Sequence, residues 1–155
     1  MKILIYGYGN PGRQDDALGV RLAENIEQSI IAEKIQDVKV DTNYQLNIED
    51  SVAISQSDIV IFADATIEEI DNIIFDEVNP DNAKIEFTMH AVSPAFVLDL
   101  CRKLYNKCPQ TYLLHIKGYE WDFKEELSLK AIDNLVIATD FVKQKIIALI
   151  NSFAN

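Results

Sequence analysis

The chain has 155 residues and carries 25 Asp and Glu against 14 Lys and Arg, a formal net charge of −11. With 48% hydrophobic and 25% charged residues, it has the composition and length of one globular domain, which we expect to cover residues 1–155. The acidic balance argues against nucleic acid as a partner, because phosphate backbones are bound by basic surfaces.

Strand and helix patterns alternate along the chain. Short apolar runs indicate strands, and apolar residues at a spacing of three or four indicate helices. In chain order, the predicted strands are Lys2–Tyr6, Val38–Val40, Asp58–Ala63, Ile73–Val78, Ile85–Thr88 and Tyr112–Ile116. The predicted helices are Ala17–Ile35, Asn47–Ser55, Ser93–Asn106 and Glu126–Phe153. This order predicts an α/β domain, a three-layer αβα sandwich around a mostly parallel twisted sheet of about five strands. Ile73–Val78 and Ile85–Thr88 are expected to pair with each other across the turn between them.

The sequence also predicts where the protein resides. Its apolar runs fall short of the roughly 20 residues needed to cross a bilayer, so we expect no membrane partner. The first apolar run ends at Gly7 and is shorter than that of a signal peptide. Cys101 and Cys108 are seven residues apart, and we read both as lying on the helix predicted to end at about Asn106. Their Cα atoms would then be about 10 Å apart, which is too far for a disulfide. We therefore expect a reduced, cytoplasmic protein.

Ligands of parallel sheets bind beyond the carboxyl ends of the strands. Asp16, Asp64 and His90 each lie just past, or a turn beyond, such an end, so their side chains are expected to converge. Two carboxylates and one imidazole suit a divalent first-row metal with open positions, whether zinc, nickel, manganese or iron. Asp41 ends the second predicted strand and is a weaker, supporting candidate. His115 lies inside the last predicted strand and is expected to be structural.

The loop Gly7-Tyr8-Gly9-Asn10-Pro11-Gly12 fits the GxGxxG pattern of dinucleotide-binding folds. Asp15 and Asp16 follow it, however, where a pyrophosphate would be repelled. Asp41, the nearest acid at a strand end, also lies well past the usual interval of about 20 residues. The string Gly9–Gly12 also resembles the opening of peptidyl-tRNA hydrolase. That family has a His soon after this loop, whereas the stretch here has none, and the net charge disfavours tRNA.

The whole loop resembles the opening motif of the hydrogenase maturation protease family. In that motif G-x-G-N is followed by four residues, two acids and a helix of the G-V/I-R type. Segments that match the family fall in the same order along nearly the whole chain. They are Gly7-Tyr8-Gly9-Asn10, Asp15-Asp16, Gly19-Val20-Arg21, Asp41, Asp64-Ala65, His90 with Ser93-Pro94, Gly118-Tyr119-Glu120 and Leu127-Ser128.

This resemblance implies an endopeptidase that removes the C-terminal extension from a nickel-loaded [NiFe]-hydrogenase large-subunit precursor. The family's residues at the positions of Asp16, Asp64 and His90 bind nickel, and an acid matching Asp41 assists the reaction. The nickel would be supplied by the precursor, and other divalent metals could substitute. Several relatives carry Glu at the position of Asp16. The Asp side chain is one methylene shorter and would reach less far toward a metal, so Asp15 is a fallback ligand.

The residues leave the mechanism and the function class open. A metal could polarise the scissile carbonyl or activate water while Asp41 takes a proton, or Asp16 and Asp64 could share a proton without a metal. HExxH, GxSxG and a Cys–His pair are missing from the sequence, which argues against the common protease types. A non-catalytic module that senses nickel in the precursor is the first alternative. A nucleotide-binding Rossmann-like enzyme is the second.

Overall fold

The computed structural model describes residues 1–83 and 92–155. Within them, a five-stranded sheet has the strand order β2-β1-β3-β5-β4. The strands are β1 (Ile3–Tyr8), β2 (Val38–Asn43), β3 (Ile59–Thr66), β4 (Ile73–Glu77) and β5 (Gln110–Lys117). The helices are α1 (Leu18–Glu33), α2 (Ser51–Ser55), α3 (Pro94–Tyr105) and α4 (Leu129–Ala154).

Helices cover both faces of the sheet. Ile5 and Ile61 belong to a core that also contains residues of α1 and α4. Their neighbours Leu4 and Val60 belong to a second core with residues of α2 and α3, since successive side chains of a strand point to opposite faces. The buried residues of β1 and β3 are hydrophobic apart from one glycine, as expected for central parallel strands. The predicted α/β sandwich is confirmed.

The sheet is parallel except at one edge. β1 pairs in parallel with β2 and β3, and β3 pairs in parallel with β5. β4 pairs antiparallel with β5. The partner predicted for β4 across the turn, Ile85–Thr88, lies outside the described residues.

β2 and β3 run further than their apolar patterns indicate. β2 extends to Asn43 because Asp41, Thr42 and Asn43 still pair with β1. β3 extends to Thr66 because its backbone continues to pair with β5. The expectation that Asp41 and Asp64 mark strand ends is therefore wrong, since both lie within their strands. Backbone pairing with a neighbouring strand is what extends the two strands through polar residues.

The helix boundaries follow their capping residues. Ser93 accepts a hydrogen bond from the backbone N–H of Phe96 at 3.1 Å and begins α3, and Asn106 ends it in a left-handed conformation with φ 52°. Cys108 therefore lies beyond α3, which corrects the prediction that it shares a helix with Cys101. Both cysteines are free. In the described ranges, none of the helices has the length and apolar character of a membrane span.

Candidate active site at the carboxyl ends of the strands

The candidate site lies where the chain changes its direction of travel across the sheet. β2 lies on one side of β1, and β3 and β5 follow on the other, which makes the β1–β3 junction the topological switch point. The last pair between these strands is Gly7 with Ala63. Asp64 is the next residue of β3 and points to the same face as Phe62, which packs against α2 and α3.

Asp16 is brought to this edge by a 3-10 turn, Gln14–Ala17, that leads into α1. One carboxylate oxygen of Asp16 accepts a hydrogen bond from the backbone N–H of Asn10 at 2.8 Å. Gly9 has φ 142°, and a Cβ there would overlap the carbonyl oxygen of Asp16. The glycine loop is therefore shaped by the close approach of two backbone segments, which needs no phosphate.

Asp16 and Asp64 form an electrostatically coupled pair. The pKa of Asp64 is raised to about 7, first by burial and then by the negative charge of Asp16. Hydrogen bonds from the backbone of Ala65 and from the Tyr8 side chain act in the opposite direction. The structure thus brings two of the predicted site residues close enough to repel each other.

Tyr8 is a site residue that the sequence reasoning missed. Burial, followed by the charge of Asp64, holds the pKa of Tyr8 well above its usual value. The hydroxyl therefore stays protonated and donates a hydrogen bond to the carboxylate. The Tyr8 ring lies 6.4 Å from those of Tyr6 and Phe62, centroid to centroid, in an aromatic cluster that fixes its position. Its place directly after an apolar run, between two glycines, was the available signal.

Asp41 has different neighbours. It pairs in register with Tyr6, and its carboxylate accepts a hydrogen bond from the backbone N–H of Thr42 at 3.0 Å. The Tyr6 hydroxyl donates to Asp50 at 2.8 Å. Burial is the main cause that raises the pKa of Tyr6, and the charges of Asp50 and Asp41 add to it. Asp41 thus lies on the edge strand, beside Tyr6.

Asp15 is fully buried, with an exposed fraction of 0%. One of its oxygens accepts hydrogen bonds from the backbone N–H groups of Tyr119 and Glu120 and from the Ser128 hydroxyl, at 2.7–2.9 Å. The other oxygen accepts from the Ser128 N–H at 2.8 Å. The idea of Asp15 as a fallback metal ligand is therefore wrong, because both of its oxygens are engaged.

One of the two histidines, His115, lies in the described part of the chain. His90, the predicted third ligand, lies outside the described residues. His115 is the cross-strand neighbour of Asp64, and its Nε2 lies 3.6 Å from a carboxylate oxygen of Asp76. In residues 1–83 and 92–155, no group of three or more His, Cys, Asp or Glu side chains is arranged to hold a metal ion.

No protein-family model matches this sequence, and no curated protein does. Solved structures do match. The hydrogenase maturating endopeptidase HybD from Escherichia coli aligns with 98% of this chain and 94% of its own, with a TM-score of 0.75 and 23% identity. The [NiFe] hydrogenase maturation protease HycI from Thermococcus kodakarensis covers 92% of this chain and 90% of its own, with a TM-score of 0.73 and 21% identity. The chain has the hydrogenase maturation endopeptidase fold.

A further structure with this endopeptidase fold comes from an archaeon. The hydrogenase 2 maturation peptidase from a Thaumarchaeota archaeon aligns with 94% of this chain and 98% of its own, with a TM-score of 0.68 and 17% identity. The shared fold extends over nearly the whole of each chain.

Two facing carboxylates allow two kinds of chemistry on this fold. They can share a proton, because like charges at close range are not both ionised at neutral pH. They can also bind a divalent cation, whose charge removes the repulsion and for which carboxylate oxygens are suitable ligands. The donor set of Asp16 and Asp64 fits either use.

Proposed function

We propose that this chain is an endopeptidase that removes the C-terminal extension from a [NiFe]-hydrogenase large-subunit precursor. It would act as one domain over residues 1–155, in the cytoplasm, where its two free cysteines would stay reduced. The observation that carries the proposal is the coupled pair Asp16–Asp64 at the switch point of a chain with the maturation endopeptidase fold. The motif order along the sequence supports it.

Nickel enters this proposal with the substrate. Asp16 and Asp64, joined by His90 on the resemblance of the sequence, would hold the nickel that the precursor carries, and other divalent cations could take its place. The mutual repulsion of the two carboxylates supports a cation between them. Recognition of the bound metal would restrict cleavage to precursors that are already loaded.

The carboxyl pair supplies the proton transfers that peptide hydrolysis needs. A carboxyl group with a pKa of about 7 can accept a proton from the attacking water and return it to the leaving amine near neutral pH. In a metal-free reaction we assign this role to Asp64, which Tyr8 orients, with Asp16 as the neighbouring charge. With a cation between the two carboxylates, Asp64 would be a ligand, and Asp41 would be the supporting acid that takes the proton. Nickel bound here would supply Lewis acidity toward the carbonyl or the water.

Incubation with a nickel-loaded precursor, followed by intact-mass measurement, tests the proposal. The unaltered chain should remove a mass equal to the C-terminal extension. Asp64→Asn should lower the processing rate at least a hundredfold, because the variant loses the titrating group and a cation ligand. Asp140→Asn, an exposed acid on α4, is the matched control and should process normally.

Two results would count against the protease. Normal processing by Asp64→Asn would remove Asp64 from the site. A stable complex in which the unaltered chain leaves the precursor intact would contradict the endopeptidase and favour a nickel-sensing binding module instead.

A further inference from the structure

A segment far along the chain holds the turn that carries Asp16. We call residues 118–128, which connect β5 to α4, the strap. Among residues 1–83 and 92–155, all hydrogen bonds accepted by the buried Asp15 carboxylate come from the strap. The donors are the backbone and hydroxyl of Ser128 and the backbones of Tyr119 and Glu120. These four hydrogen bonds join segments that lie more than a hundred residues apart in the sequence.

Further contacts hold the same turn against the strap. The Gln14 backbone N–H donates to the carbonyl of Lys124 at 2.7 Å, and the Gln14 side-chain oxygen accepts from the backbone N–H of Asp122 at 2.9 Å. The Arg13 side chain donates to the carbonyl of Trp121 at 3.0 Å. Gln14 has φ 43°, a left-handed conformation that costs free energy in a residue other than glycine. The strap contacts maintain that strained backbone.

The strained turn determines where Asp16 points. Asp15 and Asp16 are consecutive, and the 3-10 geometry sends one carboxylate into the interior and leaves the other partly exposed beside Asp64. On the opposite side, Asp16 is held by the backbone N–H of Asn10. The Asp16 carboxylate is thus fixed from two directions, by the glycine loop and by the strap.

We infer that Asp15 is a positioning residue for the Asp16–Asp64 site, acting by anchoring the strap to the turn that presents Asp16. The inference deepens the proposed function and rests on it. Asp15 touches neither substrate nor metal in this scheme. Its effect reaches the site through the backbone between residues 15 and 16, so loss of the anchor should weaken cation binding more than the loss of stability explains.

The test is calorimetric titration of Ni²⁺ alone into the purified full chain. Asp15→Asn keeps the side-chain shape but removes the charge and places an amide N–H₂ among donors. Its affinity for Ni²⁺ should fall about tenfold to a hundredfold, as for other residues that orient metal ligands. Ser128→Ala removes one donor to Asp15 and should weaken binding by a smaller factor, which keeps the inference testable should Asp15→Asn not fold.

The control separates positioning from general destabilisation. Ile146 is buried in the core between α1 and α4, and Ile146→Ala should destabilise the fold by about 2–5 kcal/mol. It should still bind Ni²⁺ with unchanged affinity, as long as the protein is folded at the titration temperature. Equal losses of affinity in Ile146→Ala and Asp15→Asn would mean that Asp15 is only a stabilising residue.

The outcomes also distinguish this inference from the proposed function. Folded Asp15→Asn or Ser128→Ala with the Ni²⁺ affinity of the unaltered chain would overturn the positioning role alone. Failure of the unaltered chain to bind Ni²⁺ alone would overturn this inference but not the proposed function, in which the nickel is held by the precursor and which the processing assay tests.

Discussion

At the scale of single residues, Asp15 and Asp16 show how neighbouring acids acquire different roles. Asp15 is fully buried and receives its hydrogen bonds from the strap. Asp16 accepts one hydrogen bond from the backbone of Asn10 and raises the pKa of Asp64. The difference arises from the direction in which a single turn projects each side chain. It decides which carboxylate is available to a ligand.

The raised pKa of Asp64 predicts a pH dependence of stability. In the folded chain this pKa is about 7, against 3.8 for an ordinary Asp. Between these values the unfolded chain has lost the proton that the folded chain still holds, so stability falls as pH rises from about 4 to about 7. Asp64→Asn removes this term. The stability of this variant relative to the unaltered chain should rise over that window by on the order of 4 kcal/mol.

Urea unfolding of both metal-free proteins at several pH values measures the difference directly, because the contributions of other acids largely cancel in it. The difference in unfolding free energy between the two proteins should not change with pH above pH 8. An equal gap at pH 5 and pH 8 would show that Asp64 has an ordinary pKa and that the carboxylate pair is not coupled.

At the scale of elements, the glycines of the first loop serve close packing of α1 and the preceding turn against the sheet. Gly19, at the start of α1, lies so near β3 that a Cβ would overlap the carbonyl oxygen of Ala63. Gly9 has the same relation to Asp16. Close packing thus explains two glycines of the GxGxxG-like pattern, Gly7 and Gly9, since a Cβ on Gly7 would overlap the carbonyl oxygen of Gly19. Two acids stand where a pyrophosphate would lie at a helix start.

Gly19→Ala should therefore destabilise the protein, although Ala favours a helix more than Gly does. The helix would have to move away from β3, which we expect to cost about 1–3 kcal/mol in urea unfolding. Gly12→Ala is the matched control, since a Cβ there would approach only the Asn10 side chain, at 3.3 Å. Equal stabilities of the two variants would contradict the close-packing explanation.

At the scale of the whole molecule, the sandwich could be predicted from the alternation of apolar patterns, since central strands buried on both faces have a clear signature. The ends of β2 and β3 could not be predicted, because backbone pairing extends both strands through polar residues such as Asp41 and Asp64. The contact of Asp15 with the strap joins residues more than a hundred positions apart, which local patterns do not encode.

Part of the candidate site could be predicted from the order of the strands. The strand order brings Asp16 and Asp64 together at the switch point, as strand-end reasoning expects. Tyr8 was missed because its place between two glycines indicates a position near the loop but does not reveal that its hydroxyl faces a carboxylate. Asp41 was expected at the end of β2. The strand continues to Asn43 instead, and Asp41 lies beside Tyr6.

The central claim is that this chain cleaves a hydrogenase precursor and that the metal of the precursor licenses cleavage. The most direct measurement incubates the unaltered chain with one precursor prepared in nickel-loaded and metal-free forms and follows the intact mass of each. We expect the loaded form to lose its C-terminal extension and the metal-free form to stay intact. A loaded precursor that keeps its full mass would contradict the account.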